Sequence, residues 1–334
     1  MPYGPNSLGM STVVLDTMNQ LPGSRDHRQV TWNERFTAEV KQNAPMWFRE
    51  DFGMETDWTS TALVPLIAES RLAIIARVEG VIAGLQAAEV VVKEFQESLV
   101  WSSVARDGDS VQSGAVIGYL SGSVRSILQI ERVILNLLGR LSGIATTTRQ
   151  FVDAVQETSC RIYDTRKTVP GWRLLDKYAV RCGGGYNHRM GLYDAILIKD
   201  NHLAALREEG QFPAEAVRRS REFISQTFPP DRANEMVVEI EVDSLDQLAN
   251  VLPAHPDIIL LDNMSVYELH QAVVLRQENS PEIILEASGG ITLENISAIA
   301  KSGVDRISTG APTHTSSWLD IGLDWDSFSR SKKV

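Results

Sequence analysis

The spacing of hydrophobic positions changes twice along the chain. Residues 30–49 and 86–96 have helical spacing, whereas residues 62–122 carry short apolar runs separated by turn residues, which predicts β-strands. Asp107-Gly108 lies between two of these runs and predicts a hairpin turn. From 124 to 157 apolar residues recur every three or four positions, which predicts a long helix with one buried stripe. The first part of the chain is therefore expected to combine helices with an antiparallel sheet.

After residue 157 strand-like and helix-like segments alternate, which is typical of a parallel β/α architecture. The predicted strands are 160–164, 195–199, 237–242, 257–262, 283–288 and 306–309, and the predicted helices are 171–181, 207–226, 244–251, 265–276 and 292–301. This alternation leaves a doubly wound sheet and a barrel open. The strands end in polar residues or glycines, and a barrel gathers such ends at one mouth, so we favour a barrel.

Two domains are predicted from these patterns. Residues 29–141 are expected to form an α+β sandwich domain with an antiparallel sheet, and residues 142–312 a parallel β/α barrel. Residues 313–330 are expected to pack back on the first domain. Residues 1–28 are rich in Gly, Pro, Ser, Asn and Thr, which predicts a disordered extension, and residues 50–61 (EDFGMETDWTST) predict a turn-rich loop.

The composition excludes several classes of protein. With 43% hydrophobic and 22% charged residues the chain is an ordinary globular protein, and a net charge of −11 argues against nucleic-acid or membrane-surface binding. No run of 18 apolar residues predicts a membrane span, and the first 24 residues lack the pattern of a secretory signal. Cys160 and Cys182, without a CxxC motif, favour reduced thiols and a cytoplasmic location.

Positive charge is concentrated in residues 160–202. This segment holds eight Lys and Arg against four Asp, a surplus of four cations in a chain whose net charge is −11. The three glycines at 183–185 allow the backbone to approach a ligand closely. The segment therefore predicts a site for a small anionic ligand, and a basic surface helix is the alternative.

Within this segment, DTRKTVPGWRLLDKYAVRCGGGYNHRMGLYDAILIKDNH (164–202) resembles the signature of the quinolinate phosphoribosyltransferase family. The resemblance continues through ERVILNLLGRLSGIAT (131–146), EIEVDSLDQL (239–248), IILLDN (258–263), EASGGI (286–291) and STGAPTHTSSWLDIGLD (308–324). It implies an incomplete barrel of about seven strands. It also implies a homodimeric enzyme that transfers phosphoribosyl from phosphoribosyl pyrophosphate to quinolinate, with decarboxylation, in de novo NAD biosynthesis.

The resemblance also implies roles for the basic residues. Quinolinate carries two adjacent carboxylates, and planar guanidinium groups pair with carboxylates bidentately. By resemblance, quinolinate is held by Arg132, Arg166, His188, Arg189 and Lys199. Arg132 is expected to reach into the neighbouring subunit's site, and Lys167 to lie nearer the phosphoribosyl group as a catalytic residue.

The second substrate calls for acidic and glycine-rich parts. Glu241 and Asp262 end two predicted strands and suit catalytic carboxylates that hold Mg²⁺, directly or through water, or stabilise positive charge on the ribose. Capping of the helices that follow is the alternative for both. Glycine loops after the last barrel strands commonly bind phosphate. The residues predicted to bind phosphoribosyl pyrophosphate are Lys167, Asn263, Ser288, Gly289, Gly290 and Gly310.

Three other functions stay open at this point. A nicotinate phosphoribosyltransferase binds a monocarboxylate and needs fewer cations. A related transferase with an altered pocket would keep the framework and use another pyridine-like substrate. A non-catalytic regulator that binds phosphoribosyl pyrophosphate would not need both Glu241 and Asp262. Val169 and the bulky Tyr186 depart from the family pattern, and Tyr186 either narrows the pocket or folds outwards.

Overall fold

The computed structural model describes residues 26–207 and 213–325. Predictions for residues 1–25, 208–212 and 326–330 lie outside this part of the chain. The helices of the first domain are Glu34–Phe52 (α1), Trp58–Leu63 (α2), Leu85–Phe95 (α3) and Val124–Asp153 (α4). Its strands are Glu69–Ala76 (β1), Gly80–Val81 (β2), Val100–Ser103 (β3), Ser110–Val111 (β4) and Val116–Ser123 (β5).

The antiparallel sheet predicted for the first domain is present. Its order is β12-β1-β5-β3, where β12 is Ile321–Trp325, and β2 pairs separately with β4. The apolar face of α3 and the stripe of α4 are buried against one another and the sheet in a single core. The strand β12 comes from the end of the described chain and pairs antiparallel with β1, so residues 321–325 return to this domain.

Two local predictions for the first domain are wrong. Residues 58–63 form α2 instead of a loop or strand, because the Asp57 carboxylate accepts the Ser60 N–H at 3.0 Å and caps the helix. Asp107-Gly108 does not join paired strands, since β3 pairs with β5 and β4 with β2. Asp107 instead accepts the Leu85 N–H and the Tyr178 hydroxyl, each at 2.8 Å, and so ties α3 to the second domain.

The helix α4 connects the two domains, and the predicted boundary after residue 141 falls inside it. The final segment crosses this helix at two glycines. Leu319 donates its N–H to the Gly139 carbonyl at 2.9 Å, and a Cβ at Gly143 would lie 2.1 Å from the Ser317 carbonyl oxygen. Any side chain at 143 would push the returning segment off the helix.

The second domain is the predicted parallel β/α structure. Its strands are Arg161–Tyr163 (β6), Ile196–Ile198 (β7), Val238–Val242 (β8), Ile258–Asp262 (β9), Ile284–Ser288 (β10) and Arg306–Ser308 (β11), in the order β6-β11-β10-β9-β8-β7. Its helices are Arg173–Cys182 (α5), Asp200–Arg207 (α6), Pro213–Thr227 (α7), Pro230–Glu235 (α8), Leu245–Val251 (α9), Val266–Asn279 (α10), Ile296–Ala300 (α11) and Ala311–His314 (α12), with a 3-10 turn at Leu252–Ala254.

Each of the six predicted strands is found within one or two residues of its expected bounds. A parallel bridge joins Tyr186 to Tyr163, so the Tyr186 segment occupies a seventh position beside β6. The sheet therefore curves from Tyr186 through β6 and β11 to β7, and its open seam lies between Tyr186 and β7. Side chains alternate along a strand, so Glu239 and Glu241 of β8 both face the barrel interior, at different depths.

Candidate active site

A cavity of about 1000 Å³ lies at the carboxyl ends of the barrel strands. It is lined by all the predicted site residues except Arg132: Arg166, Lys167, His188, Arg189, Lys199, Glu241, Asp262, Asn263, Ser288, Gly289, Gly290 and Gly310. The cavity is also lined by residues that the sequence did not indicate: Thr147 and Phe151 of α4, Leu197, Leu260, Thr309 and His314. The helix that connects the two domains thus supplies part of the cavity wall.

Positive charge dominates one side of this cavity. Arg166 and Lys167 follow β6 and are exposed, whereas Arg189 is only 6% exposed. Burial and the nearby Arg166 lower the pKa of Arg189. One guanidinium nitrogen of Arg189 donates to the Ala195 carbonyl at 3.2 Å, but its buried Nε has no hydrogen-bond partner. Such a buried, unpaired donor beside a second cation favours an anionic ligand.

A buried carboxylate holds the segment that carries these groups. Asp164, at the end of β6, accepts hydrogen bonds from the Lys177 Nζ, from Asn187 Nδ2 at 2.7 Å and from the His188 N–H at 2.8 Å. Lys177 also donates to the His188 carbonyl at 2.8 Å. Burial lowers the pKa of Lys177, and the charge of Asp164 opposes this. The pair fixes residues 187–189 relative to β6.

His188 lines the cavity, but both of its ring nitrogens contact protein groups. Its Nδ1 accepts the Arg189 N–H at 2.8 Å, and its Nε2 lies 3.1 Å from a Glu239 oxygen. These contacts assign the ring proton to Nε2. In this arrangement His188 offers quinolinate no free donor, and its direct contact with the substrate stays a prediction.

The two predicted catalytic carboxylates lie in the cavity, and neither caps a helix. Glu241 forms an ion pair with Lys199, and Asp262 accepts from Asn263 Nδ2 at 2.8 Å. The following helices begin instead at Ser244 and Ser265. The alternative of helix capping is therefore excluded. Among the described residues Asp262 has no cationic partner within 4.0 Å, so an oxygen of this carboxylate remains available to a cation.

The glycine loop after β10 has the backbone expected of a phosphate site. Gly289 has φ +91° and Gly290 φ +59°, conformations that L side chains rarely adopt. A Cβ at Gly289 would lie 2.2 Å from the Asn263 Oδ1, so Asn263 can approach this loop only because the residue is glycine. The Asn263 N–H donates to the Ser288 carbonyl at 2.9 Å. This arrangement turns the loop toward the cavity rather than away from it.

Arg132 lies outside the cavity of its own chain. Its side chain is 64% exposed, and its nearest acid is Glu131 at 3.9 Å. Arg125, two helical turns earlier on the same face of α4, donates to the Thr61 carbonyl at 3.0 Å. The face that presents Arg132 therefore continues toward α2. Exposed apolar residues lie at and after the end of this helix: Leu63, Leu66 and Ile67, which are 77%, 77% and 91% exposed.

Tyr186 does not narrow the cavity. Its ring stacks on Tyr163 with centroids 5.4 Å apart, and the guanidinium groups of Arg161 and Arg181 lie 5.1 and 4.9 Å from its ring. None of the cavity-lining residues is Tyr186 or Val169. Of the two possibilities for Tyr186, outward packing is therefore the one observed.

An α+β domain joined to a parallel barrel, with cationic residues and a glycine loop at the barrel mouth, defines a class of α/β proteins with a site for anionic ligands. Within it, the chain belongs to the quinolinate phosphoribosyltransferase family. The family's N-terminal domain, "Quinolinate phosphoribosyl transferase, N-terminal domain", matches residues 57–142, and its C-terminal domain, "Quinolinate phosphoribosyl transferase, C-terminal domain", matches residues 144–324.

Several proteins of this family are similar over most of their length. The nicotinate-nucleotide pyrophosphorylase [carboxylating] of Mycobacterium leprae is 43% identical over 277 residues, which are 82% of this chain and 93% of that protein. A probable nicotinate-nucleotide pyrophosphorylase of Synechocystis is 39% identical, over 83% of this chain and 89% of that protein. The structure of the Francisella tularensis nicotinate-nucleotide pyrophosphorylase covers 90% of this chain and 100% of its own, with a TM-score of 0.80 and 36% identity.

Proposed function

We propose that this protein transfers the phosphoribosyl group of phosphoribosyl pyrophosphate to quinolinate, with loss of CO₂, and so makes nicotinate mononucleotide for de novo NAD biosynthesis. The observation that carries the proposal is that Arg166, Lys167 and Arg189 line one cavity together with the glycine loop at Ser288, Gly289 and Gly290. The family supports the same reaction, since its similar members are named for it.

Quinolinate fits the cationic side of the cavity. Its two carboxylates can be met by Arg166 and Arg189, whose guanidinium groups lie close enough for the charge of one to lower the pKa of the other. Two bound carboxylates would relieve this repulsion and give the unpaired Nε of Arg189 an acceptor. Lys199 adds a third charge that is already balanced by Glu241. A monocarboxylate would leave part of this positive charge uncompensated.

Phosphoribosyl pyrophosphate fits the part of the cavity that the glycine loop and Lys167 line. The loop at Ser288, Gly289 and Gly290 would bind phosphate through backbone N–H groups, and Lys167 lies beside Gly310, where the last strand ends. Asp262, with a carboxylate oxygen free of cations among the described residues, and Glu241 would hold the Mg²⁺ that accompanies the pyrophosphate. When bound, the ion would neutralise charge on the leaving pyrophosphate.

The chemical steps need no covalent bond to the protein. The pyridine nitrogen of quinolinate attacks C1 of the ribose while the bond from C1 to the pyrophosphate oxygen breaks, and that electron pair leaves with pyrophosphate. Glu241 and Asp262 would stabilise the positive charge that develops on the ribose. The pyridinium then stabilises the carbanion left at C2 by the departing CO₂, and a proton from solvent takes its place. The protein orients both substrates.

A homodimer is part of the proposal. Arg132 is outside the cavity of its own chain, and Arg125 on the same face of α4 contacts the segment that carries the exposed Leu63, Leu66 and Ile67. A second copy packed on this face would bury the apolar side chains and receive Arg132. The cytoplasm is the proposed location, supported by the free thiols of Cys160 and Cys182. In the described part of the chain, no helix has the length and apolar content to cross a bilayer.

The test is an assay with quinolinate, phosphoribosyl pyrophosphate and Mg²⁺, run beside nicotinate as the alternative acceptor. We expect turnover of quinolinate alone. Arg166→Ala is expected to lower kcat/KM for quinolinate at least about tenfold, the value of one charge-assisted hydrogen bond. Arg218→Ala is the matched control, because Arg218 is exposed on α7 and outside the cavity. Turnover of nicotinate, or equal activity of the two variants, would contradict the proposal.

A further inference from the structure

Residues 26–30, which we call the N-terminal strap, lie along the open seam of the barrel. The Gln29 side chain donates to the Asn187 carbonyl at 3.1 Å and accepts the Asn187 N–H at 2.8 Å. The Val30 N–H donates to the Asn187 Oδ1 at 2.8 Å. The strap thus satisfies the backbone of the Tyr186 segment on the side where the sheet has no further strand. Residues 26–28, expected to be disordered, are instead part of the barrel wall.

The strap also places a histidine beneath the cavity. His27 is 4% exposed, and its ring lies on the His188 ring with centroids 4.2 Å apart and an interplanar angle of 31°. Its Nε2 is 3.3 Å from a Glu239 oxygen, and the same carboxylate meets the His188 Nε2. Asp26, next to it, is anchored by Arg306 at 2.8 Å and by the Tyr163 hydroxyl.

We propose that His27 is a positioning residue for the quinolinate half of the site. This inference rests on the proposed function. His27 covers one face of the His188 ring and shares the Glu239 carboxylate with it, and the Nδ1 of His188 in turn accepts the Arg189 N–H. These contacts therefore connect the strap to the backbone N–H of Arg189, the residue that carries the buried guanidinium group. Removal of the His27 ring would leave a void beneath His188 and take away one donor to Glu239. Both changes would let His188 and Arg189 shift in the cavity wall.

The ring of His27 is suited to this role because it stays neutral. Burial is the largest cause that lowers the pKa of His27, to about 3. A neutral ring has one N–H, and since Nδ1 has no partner, the contact with Glu239 assigns that proton to Nε2. His27 therefore donates to Glu239 while it packs on His188.

The same three residues could be taken for a metal site, since ligand atoms of His27, His188 and Glu239 lie within 4.8 Å of one another. The charge around them argues against it. Arg306 is buried, with one guanidinium nitrogen 3.8 Å from the Glu239 carboxylate, and it forms an ion pair with Glu286. A divalent cation at this place would meet a permanent positive charge in a solvent-free interior.

The experiment compares His27→Ala and His27→Gln in the full-length protein, with His270→Ala as a control for removal of an exposed histidine from α10. Melting temperature, KM for each substrate and kcat are measured, and bound metal is determined by mass spectrometry. We expect His27→Ala to raise KM for quinolinate at least tenfold and to change KM for phosphoribosyl pyrophosphate less than twofold. His27→Gln, whose amide can still donate to Glu239, should recover most of the loss.

Three results would overturn the inference. These are an unchanged KM for quinolinate in His27→Ala, an equal rise of both KM values, or one equivalent of metal in the wild type that His27→Ala lacks. If His27→Ala does not fold, equal KM values for His27→Gln and a His27→Asn variant, whose shorter amide cannot reach Glu239 in the same way, would overturn it as well. A wild-type protein that neither binds nor turns over quinolinate would refute the proposed function itself.

Discussion

Replacement of Lys177 by methionine tests how much of the site depends on one buried ion pair. The side chains of Lys177 and Asp164 are both 0% exposed. Lys177→Met keeps most of the side-chain volume and removes the charge, so Asp164 would stay buried with two N–H donors and no cation. Breaking one partner of such a pair costs about 3–5 kcal/mol of unfolding free energy.

This magnitude is measurable by urea denaturation followed by circular dichroism and tryptophan fluorescence. With an m-value of about 3 kcal/mol per molar, the loss corresponds to a midpoint lower by about 1 M or more. The matched control is Lys93→Met, which breaks the pair of Lys93 and Glu89 on α3, whose side chains are 65% and 43% exposed. Exposed pairs of this kind contribute about 0.5 kcal/mol or less, so the control midpoint should barely move.

The same variant should affect quinolinate binding, because Lys177 also donates to the His188 carbonyl. KM for quinolinate is expected to rise in Lys177→Met and to stay unchanged in Lys93→Met. Equal midpoints for the two variants would refute the reasoning, since they would show that Asp164 needs no compensating charge in the interior.

Two further predictions concern the phosphate loop and pH. Gly289 has φ +91°, and the Cβ of Gly289→Ala would lie 2.2 Å from Asn263, so this variant should raise KM for phosphoribosyl pyrophosphate at least about tenfold. The control is Gly114→Ala, which has φ +84° but open space around it; it should lower stability by about 1 kcal/mol and leave KM unchanged. Equal KM values for the two variants would count against the phosphate site. Burial lowers the pKa of His27 from 6.5 to about 3, so the unfolded chain gains this proton as the pH falls below about 6.5, and the folded protein gains it only near pH 3. The free energy of unfolding therefore decreases as the pH falls through this window. The loss from this group is about 2 kcal/mol between pH 7 and pH 5, and denaturation curves of His27→Gln should lack it; an unaltered pH dependence would contradict the assignment.

The strands and most of the lining residues could be predicted because their determinants are local. An apolar run that ends in a polar residue or glycine indicates the carboxyl end of a parallel strand, and this pattern located Lys199, Glu241, Asp262 and the loop at Ser288. The cavity gathers them because a barrel brings these ends together.

What could not be predicted depends on contacts between distant parts of the sequence. His27 follows a stretch whose composition suggests disorder, and its burial comes from Glu239 and His188, which lie more than 150 residues away. The buried Glu239 had one indication in the sequence. It is two residues from Glu241 on a strand and therefore shares its inward face. The helix α2 was missed because one capping residue, Asp57, outweighs a turn-rich composition.

The central claim is that one cavity joins quinolinate to phosphoribosyl pyrophosphate and removes its 2-carboxylate. The most direct measurement uses quinolinate labelled with ¹³C at that carboxylate and follows labelled CO₂ and nicotinate mononucleotide together. The account predicts one CO₂ per nucleotide, and no CO₂ without phosphoribosyl pyrophosphate, because only the quaternary pyridinium stabilises the carbanion. Nucleotide formed without labelled CO₂, or CO₂ released without phosphoribosyl pyrophosphate, would contradict it.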